Sequence, residues 1–92
     1  MKSYVLPSFW EAYASLDPSL RSRVRKAYEL WLNNPFHPSL RFKCINTQED
    51  IWSVRVSRGY RAVGVAGKNV ADGNTVTWFW VGKHEEYERF FG

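Results

Sequence analysis

Cysteine is almost absent from this chain: Cys44 stands alone among 92 residues. A single thiol excludes an intramolecular disulfide, so the fold must hold by packing, and a reducing cytoplasm is the expected setting. Long apolar runs are missing as well. No stretch approaches the roughly 20 residues that cross a bilayer, and no basic-then-apolar leader opens the chain, so neither a membrane span nor export is expected. No repeat, low-complexity tract or Gly/Ser linker interrupts the sequence. Residues 1–92 therefore read as one domain, large enough for a single core but small for independent stability. Zinc-ligand spacing, a phosphate-binding glycine loop and a serine-nucleophile motif are all lacking, which argues against metal-dependent hydrolysis and leaves no cofactor to expect.

What the chain does have is aromatic bulk and positive charge. Hydrophobic residues make up 45% and aromatics 17%, so the core must be built largely from Trp, Tyr and Phe. Five tryptophans are many to bury in 92 residues, which leaves one for an interface. The formal charge of +4 favours an anionic partner. Its placement says more than its total. From Pro18 to Lys43 the charged residues are Arg21, Arg23, Arg25, Lys26, Glu29, Arg41 and Lys43, six of the seven basic. A solvated helix face is the ordinary account of Arg21, Arg23 and Arg25.

The pattern predicts an α+β domain with two N-terminal helices packed on one face of a small, mainly antiparallel sheet. Lys2–Leu6 reads as a first strand. Ser8 and Glu11 have capping-box spacing for a short helix reaching about Leu16. Asp17-Pro18 is an N-cap followed by proline at the first helical position. Leu20, Val24, Ala27 and Trp31 then recur at helical spacing, and Asn33-Asn34-Pro35 ends the helix. Beyond Pro38, Leu40–Ile45, Ile51–Val56, Tyr60–Ala66 and Thr75–Val81 are rich in β-branched and aromatic residues and read as strands. Asp72-Gly73-Asn74 is a turn signal. Thr75–Val81 ends apolar on both faces, as a central strand does, and His84–Phe91 forms a short C-terminal helical turn.

One hairpin carries the chemistry. With Ser57-Arg58-Gly59 as a three-residue loop and Gly59 left-handed, Val56 closes against Tyr60, and Arg55 faces Arg61. Like charges facing across strands destabilise a sheet, so such a pair is tolerated best where the face meets an anion. Two arginines there could clamp a phosphate, with Lys43 on the neighbouring strand as a third cation. His84 follows the last strand, and histidine is a side-chain type suited to proton transfer. Tyr87 could orient it, stack on a base or simply pack. Blander roles weigh against each: a C-terminal histidine is usually a surface residue, His37 between Phe36 and Pro38 belongs to a rigid connection, and Cys44 is a small core residue. Trp52, Trp78 and Trp80 read as core.

In order along the chain, the two-helix start, the Lys-bearing strand, Trp52-Ser-Val-Arg55, Gly59-Tyr60-Arg61-Ala-Val and Trp80-Val-Gly-Lys-His84-x-x-Tyr87 resemble the RelE/ParE superfamily. Its members are bacterial toxins of type II toxin–antitoxin pairs. The resemblance covers nearly the whole chain and implies a RelE-like fold and a cognate antitoxin. RelE-like members are ribosome-dependent mRNA endoribonucleases (mRNA interferases) that work without a metal, ParE-like members poison DNA gyrase, and a degenerate member would only bind its partner. On the first pattern, Arg55, Arg61, His84 and Tyr87 are the expected catalytic residues. Lys43, Arg41, Lys83 and Arg58 would contact RNA, and the partners would be the ribosome and mRNA. One departure stands out: where some members carry a glutamate base, this chain has Pro38-Ser39, and Glu49 and Asp50 lie elsewhere.

Overall fold

The computed structural model describes residues 1–69 and 73–91. In chain order it runs through β1 (Lys2–Val5), α1 (Pro7–Ala14), α2 (Pro18–Asn33), a 3-10 turn (Pro38–Leu40), β2 (Lys43–Asn46), β3 (Ile51–Ser57), β4 (Tyr60–Asn69), β5 (Gly73–Lys83) and α3 (His84–Phe91). The strands form one five-stranded sheet in the order β1-β5-β4-β3-β2. Consecutive strands β2 to β5 pair antiparallel, while β1 joins β5 in parallel, so β5 is interior as its apolar end implied.

Local chemistry sets the helices. The Asp17 carboxylate accepts the Leu20 amide at 3.0 Å and the Ser19 hydroxyl at 2.7 Å, and Pro18 fills the first turn of α2. The helix buries Val24 and Trp31 and leaves Arg23, Arg25 and Lys26 exposed. At α1 the capping box does not form. The helix begins at Pro7, with Leu6 in the cap position offering no side-chain acceptor, and ends at Ala14 rather than Leu16. Proline in the first turn has no N–H to satisfy. Ser8 is thereby free to donate instead to the Phe79 carbonyl at 2.7 Å, tying α1 to β5.

The strand expected from Leu40 starts later, at Lys43. Pro38 opens a 3-10 turn, the Ser39 amide donates to His37 Nδ1 at 3.2 Å, and Arg41 turns left-handed at φ 46°. That residue cannot lie in a strand, which is why β2 is short. The turn signal at residues 72–74 falls partly outside the described residues: Asp72 is not described, whereas Gly73 and Asn74 belong to β5, opposite Asn69 and Lys68.

Two apolar layers sandwich the sheet. On one face α1 and α2 bury Phe9, Val24 and Trp31 against Val54, Ala62, Val76, Trp78 and Val81. Trp52, Gly64 and Trp78 are in register across β3, β4 and β5. A Cβ on Gly64 would meet Val76 Cγ1 at 2.8 Å and the Thr77 carbonyl at 2.9 Å, so only glycine fits there. On the other face α3 sets Tyr87 on Ile51 and Val63, with Phe79 and Trp80 beside them. A bulge makes this layer possible: Val63 pairs with Trp80 and Gly64 with Trp78, so Phe79 is the extra residue and joins Trp80 on the α3 side.

A cationic sheet face as candidate functional site

The β3–β4 hairpin sets Arg55 directly opposite Arg61. The connection differs from the three-residue loop expected. Ser57 pairs with Tyr60 across a two-residue turn, and an irregularity between Arg55 and Ser57 absorbs Val56. One residue fewer in the turn and one extra in the strand leave the arginine register unchanged. Nor does Gly59 take the left-handed conformation.

By strand alternation the arginines share the face of Ile51, Ser53 and Val63, the face that α3 covers and the N-terminal helices do not. Lys43 pairs with Ser53, two residues along β3 from Arg55, and is exposed on that same face. Both arginines are half-buried. One Arg61 guanidinium nitrogen, Nη1, donates to the Ser57 and Tyr60 carbonyls, each at 2.9 Å, so the hairpin backbone itself aims the side chain. Burial lowers the Arg61 pKa from its usual value, and the neighbouring positive charge of Arg55 lowers it further. Arg41 acts in the same sense, while Tyr87 and Glu88 oppose it, so all four lie within electrostatic reach of Arg61.

His84 begins α3, and its amide donates to the Gly59 carbonyl at 2.8 Å, clasping the helix to the hairpin turn. Its ring stacks on that of Tyr87, with centroids 5.1 Å apart and planes at 27°. Nε2 lies 3.3 Å from Glu88 Oε1. Tyr87 is buried, with its body packed on the sheet. Arg55, Arg61, Lys43, Arg41, Tyr87 and His84 are therefore gathered around one face. Lys83 is not: it pairs with Tyr60 on the opposite face and lines a groove with Ser15 and Leu16 at the end of α1. Arg58 sits exposed at the hairpin tip, toward α2.

Sequence reading missed Glu88. Its signal was present, because His84 and Glu88 are four residues apart on one helix and must be neighbours. The Ser57 and Tyr60 carbonyls left no sequence trace. Gly82, opposite Arg61, is also part of the site. The Trp80 ring lies over it, so close that a Cβ would come within 2.4 Å of Trp80 Cζ2. Among the described residues, no three His, Cys, Asp or Glu side chains gather as a metal-binding group. The chemistry on offer is that of fixed cations beside an imidazole–carboxylate pair: binding a phosphoryl group, stabilising charge on its oxygens and moving a proton.

Fold and face together describe a small basic α+β protein with an anion-seeking sheet. A family model for the ParE-like toxin domain matches residues 18–89. The chain belongs to that family, within the RelE/ParE group of toxin–antitoxin toxins. Among solved structures, a YoeB/ParE toxin from Agrobacterium tumefaciens superposes with a TM-score of 0.67 at 16% identity, covering 91% of this chain and 99% of the other. The RelB–RelE antitoxin–toxin complex from Methanococcus jannaschii gives 0.67 at 14%, covering 97% and 99%. YafQ from E. coli strain BL21(DE3) gives 0.69 at 9%, covering 92% and 94%. At such identities the likeness is one of fold. Comparison with curated protein sequences gives no match.

Proposed function

We propose that this toxin is an mRNA interferase, a metal-independent endoribonuclease acting on mRNA in the ribosome, and that a cognate antitoxin restrains it. The observation that carries this reading is the Arg55–Arg61 pair, set face to face and backed by Lys43, with an imidazole on the adjoining helix. A binding-only protein has little use for a guanidinium held by two carbonyls next to a like charge.

In the proposed reaction the RNA 2′-hydroxyl attacks the adjacent phosphorus. The P–O2′ bond forms, the P–O5′ bond breaks, and the products are a 2′,3′-cyclic phosphate and a 5′-hydroxyl. The 2′-hydroxyl loses its proton and the departing O5′ gains one. His84 serves one of these transfers, with Tyr87 beneath its ring and Glu88 at Nε2 fixing its orientation. Arg55 and Arg61 stabilise the charge that builds on the non-bridging oxygens, a contribution on the order of 3 kcal/mol per well-aimed donor. Lys43 and Arg41 hold the flanking phosphates.

The ParE-like family match favours a second reading, gyrase poisoning. Primer extension on a reporter mRNA, with and without programmed ribosomes, separates the two. Discrete cuts that need both the ribosome and Arg61 are expected, and Arg61→Ala should abolish them. Full cutting by Arg61→Ala would sink the assignment. Toxicity without any cuts, together with loss of supercoiling activity, would establish the gyrase reading instead.

A further inference from the structure

A second concentration of positive charge adjoins the arginine face. Between α2 and the β3–β4 hairpin runs a groove of about 470 Å³. Arg23 and Lys26, one helical turn apart on α2, form one wall, and Arg55 and Arg58 form the other. The hydroxyl-bearing Ser39 and Ser57 also line it. Among the described residues none of these four cations forms an ion pair. Four like charges around one concavity repel one another and focus a positive potential into it, an arrangement that an anion relieves. Three of the four are arginines, whose planar forks suit phosphate oxygens. On the sequence alone Arg23 reads as part of a solvated helix face or, under the interferase reading, as one of the second-helix cations that hold ribosomal RNA. The fold gives it a place in the groove by bringing the hairpin alongside.

We propose that this groove seats the sugar–phosphate backbone of single-stranded RNA. Arg55 decides between RNA and an acidic protein segment, because it belongs to two places at once. Register sets it opposite Arg61, and the same residue lines the groove. A polymer with one phosphate per nucleotide supplies an anion to Arg61 and further anions along the groove, whereas a peptide would need acidic residues at matching intervals. The identity of the strand rests on the interferase reading, but its binding does not require cleavage.

The test is fluorescence anisotropy with a labelled oligouridylate of about twelve nucleotides, within the usual range of single-strand sites. Full-length chains carrying Arg61→Ala serve as the non-cutting parent. Into that parent go either Arg23→Gln with Lys26→Gln, or Arg25→Glu. Both changes remove the same net charge from α2, but Arg25 lies outside the groove and bonds Tyr13 on α1. All three positions are exposed, and thermal melts confirm folding. With two phosphate contacts gone, the double Gln variant should bind about tenfold more weakly, and its slope of log affinity against log salt should shrink by about 1.4. Arg25→Glu should bind as the parent does. Equal weakening by Arg25→Glu would reduce the effect to net charge and overturn the proposal, as would unchanged binding by the double variant. Failure of the parent to bind RNA while it binds polyglutamate would assign the groove to an acidic protein partner. If the cutting chain makes no cuts but the double Gln variant still loses RNA binding, the interferase reading falls and the groove stands.

Discussion

Arg61 donates from one nitrogen to two backbone carbonyls, yet it faces Arg55 and is partly withdrawn from water. The hydrogen bonds stabilise the fold; burial and like charge cost stability, and solvent screens both at this half-exposed position. The opposing contributions should nearly cancel. Arg61→Ala is expected to unfold in urea within about 0.5 kcal/mol of the parent, the range of substitutions that break no buried network. Inorganic phosphate should raise the melting temperature of the parent more than that of the variant. A large loss of stability in the variant would show that Arg61 is structural. Asp17 works in the opposite sense. Its pKa is lowered from 3.8, first by the Leu20 amide and then by the Ser19 hydroxyl. A carboxylate depressed by folding stabilises above its unfolded value and loses that contribution as acid protonates it. Asp17→Ala should therefore melt below the parent at neutral pH, and the gap should narrow as pH falls through and below 3.8. At this scale sequence reading reached Arg55 against Arg61 for a reason that survives the wrong turn length, since the bulge restores the parity. It missed Glu88 although the spacing was visible, and it could not see the carbonyls that aim Arg61, because backbone acceptors carry no residue signature.

Elements were legible where local chemistry had no competitor. Asp17-Pro18 opens α2 as expected, and Val24 and Trp31 lie on its buried face. Where two local signals competed, the reading slipped. Ser8 could cap a helix or reach a strand, and Pro7 made the cap unnecessary while Phe79 offered its carbonyl. Likewise Leu40 is apolar enough for a strand, but Pro38 and the left-handed Arg41 turn the backbone away first. The interior of β4 shows tertiary packing dictating a residue. Gly64 lies between Trp52 and Trp78, and an added methyl would touch Val76 and the β5 backbone below 3.0 Å. Gly64→Ala should cost about 1–3 kcal/mol, the usual penalty of overpacking, read as a lower urea midpoint with an unchanged slope. A midpoint equal to the parent's would show that the sheet shifts to absorb the methyl.

Across the whole molecule, the expected architecture of two helices on one face of a mainly antiparallel sheet holds, and the terminal turn proves to be an eight-residue helix that builds the second layer. Its docking side was beyond sequence reading, since it depends on the Phe79 bulge and the path after Gly82. The parallel pairing of β1 with β5 has a consequence for how the chain comes into being. Lys2 lies beside Thr75 and Val5 beside Trp78, so the N-terminal strand has no neighbour until the most C-terminal strand exists. The arginine hairpin needs only local contacts, but the helix that brings His84 and Tyr87 to it follows β5. Contacts so distant in sequence form late, because a long loop must close before they contribute. A nascent chain thus carries its paired arginines early and the side chains of α3 last, so the candidate site is incomplete on the ribosome until synthesis has passed residue 88.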